Sequence, residues 1–256
     1  MSWNPFSKNL STKSSIILPQ DEKNFQREVA RLHQLDEATK NLYKDTKKYI
    51  DASAGVAKAD MKMSQNLSSN SAISHDPILK ESVEALSQAT FKLTTSSQEL
   101  NTKIQKVMLE PIRKFGTIFP VANNLVKKRD HLLQECSQKQ SRVEKYEQRE
   151  KTGTNVVKLD QAKKAMAPVQ EEFVSINKSL MEDIPYLWDT RIAYTRPSLA
   201  ALIQAEVQHN REVFNIYEEL EKALRGDNIE VSEEVCEYQM NKRLREIQAL
   251  SIIADD

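Results

Sequence analysis

Apolar side chains recur along most of the chain at alternating spacings of three and four residues. This spacing is typical of long helices that bury one stripe against a neighbour. The stripe in the middle of the sequence reads Val83, Leu86, Thr90, Leu93, Ser97, Leu100, Ile104 and Val107, and it resumes as Phe115, Ile118, Ala122, Leu125, Arg129, Leu132, Cys136, Lys139, Val143 and Tyr146. Pro111 lies between the two runs, where the alternation fails. Because proline removes a backbone hydrogen bond from a helix, the sequence predicts a bend there.

Two further stripes flank the central one. The first is looser and comprises Val29, Leu32, Leu35, Leu42, Ile50, Val56, Met61 and Leu67, whereas the last comprises Leu159, Ala162, Met166, Val169, Phe173, Ile176 and Leu180. Helix-breaking residues cluster at 70–77, 150–155 and 225–228. They predict helices near 22–69, 77–149 and 155–225, which at 1.5 Å per residue are roughly 70, 110 and 105 Å long.

These elements predict an all-α fold, a long, kinked antiparallel three-helix coiled coil over residues 21–225. Residues 1–20 form an N-terminal tail or a short amphipathic helix, and residues 226–256 form an acidic C-terminal tail with a short helix. Small or polar residues occupy several stripe positions, so three such helices bury little area in one another. We therefore expect a homodimer that covers more of the apolar surface. Prolines at 168, 185 and 197 favour a curved bundle over a straight one.

Composition agrees with this class. The chain has 256 residues, of which four are glycine and 29% are charged. No run of apolar residues is long enough to cross a bilayer, and the N-terminus lacks the order of a secretory signal. Cys136 and Cys236 are therefore expected to be free thiols in a reducing compartment, the cytoplasm.

Charge is distributed unevenly although the formal net charge is zero. Residues 127–164 hold the densest cationic stretch, at the reversal between the second and third helices. The candidate membrane-binding residues are Lys127, Lys128, Lys139, Arg142, Lys145, Arg149, Lys151, Lys158, Lys163 and Lys164. An anionic lipid surface attracts such clusters by about 1 kcal/mol per cation. The alternative is a solvated coiled-coil face.

Both termini carry weaker signals. Trp3, Phe6 and Leu10 are spaced to share one face of a short helix that inserts into a membrane, and the alternative is a disordered tail. Near the C-terminus, apolar residues for docking on a partner are Val231, Val235, Leu244, Ile247 and Leu250.

Enzyme chemistry is not expected. The four histidines form no metal-ligand motif, and four scattered glycines cannot build a phosphate-binding loop, so we predict no catalytic residues, metal or cofactor. Lys127-Lys-Arg129 lies inside a helix without interleaved aromatic residues, which argues against nucleic acid as a partner.

Several segments resemble a known family. Glu110-Pro-Ile-Arg-Lys-Phe-Gly-Thr-Ile-Phe-Pro120, followed by Lys127-Lys-Arg-Asp130 and Tyr146, resembles the central helix of amphiphysin/Rvs-type BAR domains. The opening Met1-Ser-Trp3 with Pro5-Phe6, the run Val143-Glu-Lys-Tyr-Glu147 with Glu150-Lys-Thr-Gly153, and the ending Ala249-Leu-Ser-Ile-Ile-Ala-Asp-Asp256 resemble the bridging integrator branch of that family. The resemblance covers essentially the whole chain.

The resemblance implies a banana-shaped homodimer with a central six-helix bundle, whose concave face and tips bind anionic phospholipid and sense or impose curvature. The branch further implies a peripheral membrane protein linked to the actin cytoskeleton, cytokinesis and septation, with Rho-type small GTPases as candidate partners. About 30 residues follow the third predicted helix, too few for an SH3 domain. Two rival interpretations are a cytoskeletal coiled-coil linker with little direct lipid binding and a spectrin-like repeat, whose helices would be shorter.

Overall fold

The computed structural model describes residues 16–224 and 233–250, and every regular element in these two ranges is helical. In chain order the helices are α1 (Pro19–Ser68), α2 (Ser71–Ser74), α3 (Pro77–Ile104), a π-helical turn (Gln105–Leu109), α4 (Glu110–Gly116), α5 (Ile118–Glu147), α6 (Gly153–Leu224) and α7 (Glu233–Gln248). The prediction of an all-α fold of long, interrupted helices is confirmed.

The first long helix begins three residues earlier than the pattern of apolar residues predicts. Pro19 stands at the first helical position, where its fixed φ favours the helix and its missing N–H is not needed. The carbonyl oxygen of Leu18 accepts hydrogen bonds from the backbone N–H groups of Asp21 and Glu22, at 3.0 and 3.1 Å. The two carboxylates in this first turn also stabilise the helix through their interaction with its dipole.

The central helix is interrupted twice near Pro111. A π-helical turn ends where the N–H of Glu110 bonds the carbonyl of Gln105, five residues back, and Thr117 separates α4 from α5. The buried stripe continues through Phe119 and Val126.

Four positions that the heptad count placed on the stripe are exposed in the single chain. On the central helix, Ile118 and Leu125 are each 41% exposed, and their neighbours Phe119 and Val126 are buried. In α1, Leu42 and Val56 were predicted on the stripe and are also exposed.

The chain divides into two compact units. Among the described residues, the first unit consists of 16–55 and 98–208, and the second of 56–97, 209–224 and 233–250. Two clusters form most of the core of the first unit. One comprises Phe25, Val29, Leu32, Phe115, Phe119, Val126, Leu180 and Ile184, and the other comprises Ile50, Leu100, Ile104, Met108, Ile112 and Ala205.

Contacts within the first unit fix the register of its helices. The hydroxyl of Tyr49 donates to Glu206, 157 residues later, at 2.8 Å, and Arg31 lies over the ring of Trp188 at the same separation in sequence. This part of α1 is therefore parallel to α6. By contrast, α5 and α6 are antiparallel, since Lys128 pairs with Glu172 and Glu147 pairs with Lys163.

The second unit has a more polar interior. Thr90, Ser64 and Ser96 are buried in it beside Val83 and Ala89. The hydroxyl of Ser96 donates to Glu212 at 2.7 Å and lies 2.9 Å from Nδ1 of His209. These hydrogen bonds join α3 to the last turns of α6.

Candidate functional site

The candidate site is a two-helix projection of the first unit, which we call the arm and define as residues 137–168. It contains the end of α5, the connecting segment 148–152 and the start of α6. Ile16 and Ile17, which precede α1, pack against the cluster of Leu132, Cys136 and Phe173 just before the arm. Within the arm, the only side chain that is buried among the described residues is Val143. The arm therefore has little core of its own.

Four of the ten predicted cations are engaged in ion pairs. Lys128 pairs with Glu172, Lys139 with Glu135, Lys163 with Glu147, and Lys164 with Asp160, at 2.6 to 3.1 Å. Lys139 also donates to the backbone carbonyl of Ala165 at 3.0 Å, which ties the two helices together. The hydrogen bond and charge of Asp160 raise the pKa of Lys164. The pairs of Lys139 and Lys164 are four residues apart within one helix, whereas those of Lys128 and Lys163 join α5 to α6.

The other six cations are exposed and form no ion pair with any residue in 16–224 or 233–250. They are Lys127, Arg142, Lys145, Arg149, Lys151 and Lys158. Arg149 lies over the ring of Tyr146, at 5.3 Å from the ring centroid, and this contact leaves its guanidinium charge uncompensated. All but Lys127 belong to the arm. The arm therefore presents five cations without an ion pair, on both sides of the connecting segment 148–152 and within it.

A buried arginine, which the sequence placed on the stripe and in the basic run Lys127-Lys-Arg129, lies where the arm begins. Arg129 is 1% exposed and donates from Nη1 and Nη2 to the two carboxylate oxygens of Glu22. It also donates to Asp130 at 3.1 Å and to Asn177 at 3.0 Å. Its guanidinium lies over two aromatic rings, with the centroid of Phe25 at 4.0 Å and that of Phe173 at 5.3 Å. We call Arg129, Glu22, Phe25, Asp130, Phe173 and Asn177 the base; they bring α1, α5 and α6 together.

The pKa values of the two carboxyl groups of the base are shifted in opposite directions. Partial burial would raise the pKa of Glu22, but hydrogen bonds from Arg129 and Gln26 and the charge of Arg129 hold it below its usual value. Burial raises the pKa of Asp130, and the nearby charge of Glu22 adds to this, against the opposing effect of Arg129. The guanidinium therefore stabilises Glu22 as the ionised partner. An arginine at a heptad core position was the available sequence signal, since such a charge needs a buried partner.

The remaining predicted features lie elsewhere. Trp3, Phe6 and Leu10 fall outside the described residues. No group of three or more His, Cys, Asp or Glu side chains in the described ranges is arranged to hold a metal ion. None of the described helices is both long and apolar enough to cross a membrane. Cys136 is buried and Cys236 is exposed, and both are free thiols.

Comparison with known proteins identifies the family. The family model of the BAR domain matches residues 19–226, which span α1 to α6. The chain belongs to the BAR domain family. This BAR domain chain is 40% identical to Bridging integrator 3 of Rattus norvegicus over 256 residues, with full coverage of both proteins. It is 23% identical to the Regulator of cytoskeleton and endocytosis RVS161 of Candida albicans, with 98% of each chain covered.

A solved structure supports the same fold. The amphiphysin BAR domain from Drosophila aligns with a TM-score of 0.69 at 18% identity, covering 85% of this BAR domain chain and 96% of that structure. The match of the BAR family model and the 40% identity to Bridging integrator 3 confirm the resemblance that was inferred from residues 110–130, from 143–153 and from both termini.

Proposed function

We propose that this chain is a non-catalytic BAR scaffold that binds anionic phospholipid membranes through the free cations of its arm and senses or shapes their curvature. The observation that carries the proposal is the charge of the arm, where Arg142, Lys145, Arg149, Lys151 and Lys158 are exposed and have no carboxylate partner among the described residues. Cations without an ion pair keep more of their attraction for a negative surface than paired ones do, because no carboxylate in direct contact offsets their charge.

The proposal includes a homodimer. The first unit exposes apolar side chains that a single chain leaves uncovered, on α5 at Ile118, Val121 and Leu125, and on α6 at Ile192, Leu199 and Ile203. Those on α5 and the last two on α6 are spaced by three or four residues, the spacing of a surface that packs against another helix. A second copy would bury this surface and supply a second arm. Two arms acting together bind far more tightly than one.

The proposal also includes a cytoskeletal role. It is supported by the similarity to the Regulator of cytoskeleton and endocytosis RVS161 of Candida albicans. Contacts with filamentous actin and with Rho-type small GTPases, and roles in cytokinesis and septation, are the finer expectations of the bridging integrator branch, and a cytoplasmic, membrane-peripheral location goes with them.

Two sets of neutralising substitutions test the role of the arm. The free set is Arg142→Gln, Lys145→Gln, Arg149→Gln and Lys158→Gln, and the paired set is Lys128→Gln, Lys139→Gln, Lys163→Gln and Lys164→Gln. Both sets lower the net charge by the same amount. We expect the free set to weaken binding to anionic vesicles by about 4 kcal/mol per arm, at about 1 kcal/mol per cation. The paired set should lose less, because each of its cations is already partly neutralised by its own carboxylate.

The measurement is co-sedimentation with vesicles of phosphatidylcholine alone or with phosphatidylserine, at low and high salt, with electron microscopy for tubules. Binding that is confined to anionic vesicles and weakened by salt supports the proposal. Equal losses from the two sets would show that only net charge matters. Binding that is insensitive to salt, or equal on neutral lipid, would instead favour the cytoskeletal linker.

A further inference from the structure

The connecting segment of the arm carries an exposed hydroxyl among its free cations. Thr152 is the last residue before α6, and its carbonyl accepts the first helical hydrogen bond of α6, from the N–H of Val156 at 3.0 Å. Its side-chain oxygen accepts only a long hydrogen bond, from the N–H of Asn155 at 3.4 Å. Thr152 and its neighbours Lys151 and Gly153 are all exposed. An incoming enzyme can therefore reach the hydroxyl.

The residues before Thr152 form a charge pattern that a basic-directed kinase recognises. Arg149 stands three residues before Thr152 and Lys151 stands immediately before it. Arg149 is the only arginine in the sequence that has a serine or threonine three residues later. Kinases select substrates partly by the charges that flank the acceptor, through complementary acidic side chains. The segment can also be drawn out of regular structure at little cost, because Val143 is the only buried side chain among the described residues of the arm.

We propose that Thr152 is a phosphorylation site for a protein kinase that selects basic residues, and that its phosphate switches off lipid binding by the arm. In the modification, Oγ1 of Thr152 forms a bond to the γ-phosphorus of ATP while the bond from that phosphorus to the β,γ-bridging oxygen breaks. ADP leaves, and the hydroxyl proton passes to the catalytic aspartate of the kinase. The switch rests on the proposed function of the arm, whereas the modification itself does not.

The size of the switch follows from the charge of the arm. Residues 137–168 contain eight lysine and arginine side chains and four carboxylates, a net charge of +4. A phosphothreonine adds roughly −2 at pH 7 and so removes about half of this net charge. Each unit of charge near an anionic leaflet changes the affinity by about fivefold, so we expect phosphorylation to weaken binding about thirtyfold per arm.

The first experiment locates the modification. The full chain is treated with ATP and the catalytic subunit of a kinase that selects basic residues, and phosphate is counted by intact mass and located by peptide sequencing. We expect one phosphate on the wild type. We also expect one on Thr154→Val, the matched control, which removes a different exposed threonine two residues after Thr152. We expect none on Thr152→Val and little on Arg149→Gln. Incorporation at another hydroxyl, or none at all, would overturn the proposed site.

The second experiment measures the switch. Phosphorylated and untreated protein are compared by co-sedimentation with vesicles of phosphatidylcholine and phosphatidylserine, and the phosphate is then removed with a phosphatase. We expect the thirtyfold loss to be reversed, with helicity by circular dichroism unchanged throughout. Unchanged binding at full occupancy of Thr152 refutes the switch. If the untreated protein does not bind these vesicles, the proposed function fails as well, while the mass measurement still decides whether Thr152 is modified.

Discussion

The base and the arm are adjacent parts of one unit with opposite uses of their side chains. At the base, three helices surround Arg129 and bury Phe25 and Phe173 almost completely. In the arm, the same α5 and α6 continue with Val143 as the only buried side chain among the described residues 137–168. The charged groups of the base form ion pairs with one another, whereas most cations of the arm form none. Folding stability and surface charge are thus separated along the same two helices.

The largest loss of stability is expected from a substitution that leaves a cavity next to the base. Phe119 is 0% exposed and packs edge-to-face on Phe115, with ring centroids 5.4 Å apart. Phe119→Ala should lower the free energy of unfolding by about 3–5 kcal/mol, because the surrounding helices cannot close the space. Urea unfolding followed by circular dichroism measures the change. Phe91→Ala is the control, since Phe91 is 65% exposed, and a comparable loss there would contradict the assignment of the core.

The next effect is expected from the ion pair of the base. Arg129→Met should cost about 2–3 kcal/mol, which is below the usual range for a broken buried pair because Glu22 and Asp130 stay partly solvated. Adding Glu22→Gln to this variant should recover part of the loss, since it removes the carboxylate that was left without its partner. A double-mutant cycle in urea measures the coupling. Additive losses would mean that the two side chains do not stabilise each other.

A smaller and more local effect is expected in the arm. Val143→Ala should lower the free energy of unfolding of the arm by about 1–2 kcal/mol, because it removes two buried methyl groups from a segment with little other core. Hydrogen exchange should rise at amides of residues 137–168 and stay unchanged around Arg129, since the arm opens separately from the base. Val157→Ala, at a position that is 57% exposed, is the matched control in the same arm. Uniform acceleration across the first unit would show that the arm and the base unfold together.

The smallest effect is a difference in acid sensitivity between the two carboxyl groups of the base. Because the folded-state pKa of Glu22 lies below its ordinary value of 4.5, its charge stabilises the fold above pH 4.5, and this contribution is lost as the pH falls through the lowered pKa. The stability gap between wild type and Glu22→Gln should therefore narrow under acid. It is measured by thermal unfolding between pH 3 and pH 7.

Asp130→Asn serves as the control of opposite sign. Since the pKa of Asp130 is raised, its ionised form costs stability at neutral pH, and acid relieves this cost. Asp130→Asn should be at least as stable as the wild type at pH 7, and this advantage should disappear as the pH falls. As the pH falls, the free energy of unfolding of the wild type minus that of the variant should decrease for Glu22→Gln and increase for Asp130→Asn. A change of the same sign for both variants would contradict the assignment of the two pKa shifts.

The sequence predicted those parts of the molecule that depend on local periodicity. The stripe of α6 through Phe173 and Leu180 follows directly from heptad spacing, and both side chains are buried. The exchange of Ile118 for Phe119 could not be predicted from spacing, because they lie three and four residues after the buried Phe115 and both steps occur in a heptad pattern.

The candidate site was predictable in composition and not in pairing. The cationic stretch is evident from residue types alone. Pairs four residues apart in one helix, such as Lys164 with Asp160, follow from spacing, but the pair of Lys128 with Glu172 depends on the register between helices. The partner of Arg129 lies 107 residues away in α1, a distance at which periodicity gives no information.

The packed residues before α1 also bear on how the length of the arm can vary. Ile16 and Ile17 contact the cluster of Leu132, Cys136 and Phe173, so the described contacts of this segment stop before residue 137. Adding seven residues to α5 and seven to α6 within the arm would preserve the heptad phase of both helices. It would leave every contact of the base unchanged. Reach toward a surface can therefore be adjusted by insertion or deletion of matched heptads, independently of the part of the protein that determines whether it folds.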